Sequence, residues 1–222
     1  MCLKRAFCTF GLAFFLGSAA ALRAEETPAE PPTILFLGDS LTAGFGLEPD
    51  LAFPQRVAEK LEADGLPAEI VNAGLSGETT AGGLRRVNWL LRREIDILFL
   101  ALGGNDALRA LDPAQTEANL RGIFERVQTR YPEATLILAG MLAPPNLGAE
   151  YGEAFSAVYP RVAAEFDAAF VPFLLEGVAG DPRLNLPDGI HPNVEGHRRI
   201  AEVVYPAVKA ALDPTPAREN RQ

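Results

Sequence analysis

The run Ile34-Leu-Phe-Leu-Gly-Asp-Ser40 decides the reading of the fold. Four consecutive apolar residues without alternation suit a strand buried on both faces, the habit of parallel sheets covered by helices. The pattern recurs in Glu69-Ile-Val-Asn72, Ile95-Asp-Ile-Leu-Phe-Leu-Ala-Leu102, Thr135-Leu-Ile-Leu-Ala139 and a weaker Phe170-Val-Pro-Phe173. Between these runs, residues 53–63, 81–93, 113–130, 151–166 and 194–212 carry apolar side chains at helical spacing with charges between them. Strands alternating with helices predict an α/β domain with a parallel sheet, helices on both faces, and a ligand site at the carboxyl ends of the strands. There is no internal repeat and no sign of a second domain.

Polar residues gather at those strand ends. Gly38-Asp39-Ser40 follows the first run, Asn72-Ala73-Gly74 the second, and Gly103-Gly104-Asn105-Asp106 the third. The chain of 222 residues has two histidines, both within Asp188-Gly-Ile-His191-Pro-Asn-Val-Glu-Gly-His197, and four serines, at positions 18, 40, 76 and 156. Scarcity narrows the choice of a serine nucleophile with a histidine base. Ser40 sits at a strand-to-helix junction, where a helix N-terminus favours developing negative charge, although the same position also suits a simple helix cap. Ser76 is the credible rival, and Ser156 reads as an ordinary helix residue. Asp188, three residues before His191, is placed to accept the imidazole Nδ1–H and leave Nε2 for a nucleophile. His197 falls in a helical pattern beside Arg198 and Arg199 and is expected to face solvent. A backbone N–H at Gly74 and the side-chain amide of Asn105 are candidate oxyanion donors beside the N–H of Ser40.

Composition excludes several classes. Residues 1–24 combine Lys4 and Arg5 with an apolar segment and small residues, the pattern of a secretory signal peptide; a single membrane anchor is the competing reading. Both cysteines, Cys2 and Cys8, lie in that segment, so the processed chain is expected to lack disulfides, thiol chemistry and thiolate metal sites. Processing removes Lys4, Arg5 and Arg23 from 20 basic residues and none of the 29 acidic ones, leaving a formal charge of −12. Nucleic acid is therefore an unsuitable partner. No phosphate loop, dinucleotide fingerprint or Gly-x-Ser-x-Gly elbow occurs, so no cofactor is expected, and with two histidines six apart no metal is expected either. Residues 25–32 read as a proline-rich tether, 33–212 as the domain and 213–222 as a polar tail, in an exported, periplasmic or secreted monomer.

Four blocks, Gly38-Asp-Ser-Leu-Thr-Ala-Gly44, Asn72-Ala-Gly-Leu-Ser-Gly-Glu-Thr79, Gly103-Gly-Asn-Asp106 and Asp188-Gly-Ile-His-Pro-Asn193, resemble those of the SGNH (GDSL) hydrolases, in the same order. Gly103-Gly-Asn-Asp-Ala-Leu-Arg109, Pro145-Asn-Leu-Gly148 and Glu153-Ala-Phe-Ser-Ala-Val-Tyr-Pro160 resemble its bacterial thioesterase, lysophospholipase and arylesterase branch. The resemblance implies a three-layer α/β/α, flavodoxin-like fold with a five-stranded parallel sheet. It also implies Ser40 as nucleophile, His191 as base, Asp188 as its orienting acid, and Ser40, Gly74 and Asn105 as oxyanion donors. An acyl groove follows, for which Leu75, Leu108, Leu111, Leu142 and Leu147 are candidates. The implied substrates are small acyl or aryl esters, thioesters and lysophospholipids; a carbohydrate O-deacetylase and a non-catalytic binding module are the alternatives.

Overall fold

The computed structural model describes residues 30–212. Residues 1–24, expected as a signal segment, most of the expected tether 25–32 and the expected tail 213–222 lie outside the described residues.

Among the described residues five strands form one sheet, all parallel: β1 (Thr33–Gly38), β2 (Glu69–Gly74), β3 (Ile97–Ala101), β4 (Thr135–Ala139) and β5 (Ala169–Val171), in the order β2-β1-β3-β4-β5. The central strands are apolar because both faces are covered. Every residue of β3 is buried, as are residues 34–38 of β1, whereas the edge strand β2 exposes Glu69 and Asn72.

The helices are α1 (Ser40–Ala43), α2 (Phe53–Ala63), α3 (Thr80–Leu90), α4 (Gly104–Leu108), α5 (Pro113–Arg130), α6 (Ala149–Ser156), α7 (Val158–Glu165) and α8 (Val194–Leu212). Right-handed crossovers from β1 outward to β2, then back past β1 to β3, place successive helices on opposite faces. Accordingly α2 packs on α8, and α3 packs on α5, which packs on α7. The α/β/α sandwich expected from the sequence is the fold observed.

Two departures have simple causes. The helix expected over 151–166 is two helices, because Pro160 lacks the N–H that would bond the Ser156 carbonyl and its ring crowds that group. Helices α1 and α4 carry no periodic signal, being four and five residues long.

The core below the strand ends is aromatic. Phe36, Phe53 and Phe99 are fully buried, with ring centroids 5.0 to 6.0 Å apart. His197, expected on the surface, belongs here. It is buried, lies parallel to the Phe53 ring at 6.3 Å, and its Nδ1 accepts the Phe53 N–H at 3.1 Å. Helix α2 starts at Phe53 without a side-chain cap of its own, so the imidazole of α8 satisfies one of its orphan donors. Burial holds the ring neutral, with its pKa pushed down to about 4.

Candidate active site

Strand order reverses at β1, which has β2 on one side and β3 on the other. Gly38 pairs with both Gly74 and Ala101, so the three strands end level. The crevice beyond a reversal of this kind is where open α/β sheets bind ligands. The segments after the three strands meet in it.

After β1 the chain turns sharply at Gly38. A Cβ on this glycine would lie 1.9 Å from Thr42 Oγ1 and 2.9 Å from the Ala101 carbonyl, so a side chain is excluded. Asp39 caps α1 by accepting the Leu41 N–H at 3.0 Å through Oδ1, and Ser40, a residue 8% exposed, opens the helix. The other carboxylate oxygen of Asp39 accepts from Asn105 Nδ2 at 3.2 Å. Asp39 itself is buried, and burial pushes its carboxyl up to about 6. Because an amide nitrogen carries two hydrogens, this bond fixes the Asn105 carboxamide and leaves one hydrogen free.

The neighbour of Asn105 anchors its helix. Buried Asp106 accepts from the Thr80 N–H at 2.9 Å and hydroxyl at 2.5 Å, tying α4 to the start of α3. The approach to α4 requires a glycine at 103, where φ is +119° and a Cβ would lie 2.0 Å from the Tyr159 hydroxyl.

The histidine arrives on a closed loop. The Leu186 N–H donates to the His191 carbonyl at 2.7 Å, and Asn185 pairs with Pro192 in an isolated antiparallel bridge. Inside that loop Asp188 Oδ1 accepts the N–H groups of Ile190 and His191 at 2.9 and 3.0 Å, and Oδ2 lies 2.7 Å from His191 Nδ1. These donors hold the Asp188 carboxyl down at about 2. On the far side of the ring, His191 Nε2 is 3.1 Å from Ser40 Oγ. Phe45 packs against the imidazole with centroids 4.3 Å apart, fixing its tilt. The structure thus brings Ser40, His191 and Asp188, 151 residues apart at the extremes of the first contact, into one hydrogen-bonded line. Ser76 lines the same cavity but makes no such bond to a histidine.

The oxyanion candidates divide. Asn105 lines the cavity, and the Ser40 N–H is donated to no acceptor among the described residues. Gly74 is a correction. Its single N–H is donated to Asn72 Oδ1 at 2.9 Å, its Cα faces the backbone of Ala43, and it does not line the cavity. Gly77, three residues on, lines the cavity, and its N–H is donated to no acceptor among the described residues. Its carbonyl accepts from Arg109 Nη2 at 3.0 Å, and the next residue, buried Glu78, accepts from Arg86 Nε at 2.7 Å. Arg86 also donates to the Ala73 carbonyl at 2.6 Å, so this arginine belongs to the packed turn and not to a solvated face. The sequence signal for Gly77 was a second glycine in the same block; nothing but the fold separates the two.

The cavity holds about 620 Å³ and its lining is predominantly apolar. Of the groove candidates Leu108 and Leu142 line it, whereas Leu75, Leu111 and Leu147 do not. The lining that sequence reading missed comes from loops and a strand end: Phe45, Met141, Phe173, Leu175 and Ile190. Among the described residues no group of three or more His, Cys, Asp or Glu side chains converges in a way that could hold a metal ion.

Residues 36–199 match the model of the GDSL-like lipase/acylhydrolase family. Esterase TesA of Pseudomonas aeruginosa is 40% identical over 201 residues, covering 90% of this chain and 99% of the relative. The protein named thioesterase 1/protease 1/lysophospholipase L1 of Escherichia coli K12 is 39% identical, covering 78% of this chain and 82% of the relative. Among solved structures, the psychrotrophic esterase EstA from Pseudoalteromonas superposes with a TM-score of 0.77 at 30% identity, covering 82% of this chain and 99% of EstA.

Proposed function

Since the chain belongs to the GDSL-like lipase/acylhydrolase family and is a carboxylic ester hydrolase, we propose that it works through an acyl-enzyme on Ser40, with His191 as base and Asp188 as the carboxylate that orients it. The observation that carries the reading is the line of contacts from Asp188 Oδ2 to His191 Nδ1 at 2.7 Å and from His191 Nε2 to Ser40 Oγ at 3.1 Å. In the first half-reaction Nε2 takes the hydroxyl proton as Oγ attacks the acyl carbon, and the imidazolium is stabilised by Asp188. The oxyanion accepts from the Ser40 N–H, the Gly77 N–H and the free hydrogen of Asn105 Nδ2. Collapse expels the alcohol or thiol, which takes the proton from His191. Water then attacks the acyl group, His191 accepts its proton, and that proton returns to Ser40 Oγ as the acid leaves.

The substrate reading rests on the cavity. A volume of about 620 Å³ falls within the roughly 300–1,000 Å³ of small-ligand pockets, and apolar walls suit an acyl chain or aryl group. Small acyl or aryl esters, thioesters and lysophospholipids fit it, whereas a sugar O-acetate would leave its hydroxyls against Leu108, Leu142 and Met141 without partners. Export from the cell rests on the sequence of residues 1–24, and the catalytic domain is assigned to residues 33–212.

The test is hydrolysis of p-nitrophenyl esters from acetyl to palmitoyl by the protein and by its Ser40→Ala variant. Turnover that rises beyond acetyl and is abolished in the variant is expected. Turnover surviving in Ser40→Ala overturns the nucleophile, and acetyl-only turnover overturns the acyl-chain reading.

A further inference from the structure

Among the described residues six large apolar side chains stand 46% to 67% exposed: Phe45, Leu75, Trp89, Leu108, Leu142 and Ile190. Isolated exposed apolar residues need no explanation, but clustered ones mark an interaction surface. Five of these six converge. Phe45, Leu108, Leu142 and Ile190 line the mouth of the cavity and are each about half exposed, at 46% to 54%. Leu75, 53% exposed, stands outside the cavity but directly precedes Ser76 and Gly77, which line it. They come from separate segments: after α1, after β2, in α4, after β4 and in the Asp188 loop. The sixth, Trp89, lies elsewhere. It is two residues before Leu91, whose carbonyl accepts from the Tyr131 hydroxyl, and the following loop returns to the amino end of β1 through the Asp96 N–H bond to the Thr33 carbonyl.

We propose that this apolar ring docks the enzyme, mouth down, on the surface of a zwitterionic lipid bilayer, from which acyl substrates enter the cavity without crossing water; the proposal rests on the ester-hydrolase reading of the site. The position of the ring selects the occupant. A protein seated there would close the mouth and stop turnover, whereas a lipid surface is both the partner and the source of substrate. Leu75 separates docking from simple substrate binding, since a single substrate molecule in the cavity does not require it. Charge selects the kind of surface. The whole chain carries a formal charge of −9, which opposes an anionic membrane. Charged groups next to Ile190 and Leu108 in the chain are engaged within the protein, Asp188 by His191 and Arg109 by the Gly77 carbonyl. The remaining attraction is burial of apolar surface at the headgroup boundary.

The experiment compares the protein with Leu75→Gln and Trp89→Gln, neutral replacements at two exposed sites. Each is assayed for flotation with phosphatidylcholine vesicles and for hydrolysis of p-nitrophenyl butyrate in solution. Leu75→Gln is expected to keep its soluble turnover, which also shows that it folds, while its vesicle affinity falls about tenfold, the loss of one buried leucine. Trp89→Gln is expected to keep both. Vesicle affinity unchanged in Leu75→Gln, lost equally in Trp89→Gln, or absent in the parent overturns the docking surface. Failure of the hydrolase reading is separate: the parent would then bind vesicles and leave p-nitrophenyl butyrate intact.

Discussion

Replacing Asp39 with Asn should make the protein less active and, above the pH at which Asp39 ionises, more stable. Burial raises the Asp39 carboxyl from 3.8 to about 6. At 1.36 kcal/mol per unit, keeping it ionised in the folded state costs about 3 kcal/mol. The sign follows from proton binding. Between pH 3.8 and 6 the folded chain holds this proton more tightly than the unfolded chain, so the contribution is fully present below that window and is lost as pH rises through it. Asparagine keeps an oxygen for the Leu41 N–H but turns an amide donor toward Asn105 Nδ2, losing a hydrogen bond of about 1 kcal/mol. The net expectation for Asp39→Asn is a gain of about 2 kcal/mol at pH 8 that is nearly gone at pH 4. Turnover of p-nitrophenyl butyrate at pH 8 should fall about 10²-fold, as for loss of one oriented oxyanion donor. Urea midpoints of both proteins at the two pH values, with kcat/KM at pH 8, make the comparison. A variant less stable than the parent at pH 8, an equal gain at both pH values, or unchanged turnover would refute the reasoning.

Three further outcomes follow from the geometry. Asp188→Asn removes the carboxylate that fixes the His191 tautomer and should lower kcat about 10⁴-fold with little change in KM, measured under steady-state conditions. His197 is held neutral by burial, with its pKa lowered from 6.5 to about 4, so its contribution is present above 6.5 and lost as pH falls through that window. His197→Gln should flatten this acid-side loss in urea titrations from pH 7 to 4, at a cost of about 1–2 kcal/mol at neutral pH. Ala143→Phe adds a ring to the cavity wall and should lower kcat/KM for octanoyl relative to acetyl p-nitrophenyl esters by about tenfold.

How much of this was legible in the sequence depended on whether the signal was periodic or a matter of loop conformation. The runs at 34–37 and 135–139 located β1 and β4 because strands covered on both faces cannot alternate. Ser40 and His191 were legible as a candidate pair through scarcity, since two histidines and four serines leave few pairs, and Asp188 through its place three residues before His191. His197 was misread although its period was available: Ile200, Ala201, Val204 and Val208 form the buried stripe of α8, and 197 lies three and four residues before its first members. Its neighbours Arg198 and Arg199 obscured that stripe. Gly74 and Gly77 share one block, and only the turn after β2 shows which N–H is free. The groove was least legible. Leu111 and Leu147 do not line the cavity while Met141 and Phe173 do, because loop segments have no period from which facing can be read.

The central claim is that Ser40 alone carries the acyl group. Its most direct test is to treat the protein and its Ser40→Ala variant with a p-nitrophenyl alkylphosphonate and to map the adduct by mass spectrometry of the intact and digested chains. One phosphonate on Ser40, with none on Ser76 and none in the variant, is the predicted result. Labelling of Ser76 instead, or an adduct that persists in Ser40→Ala, would contradict it.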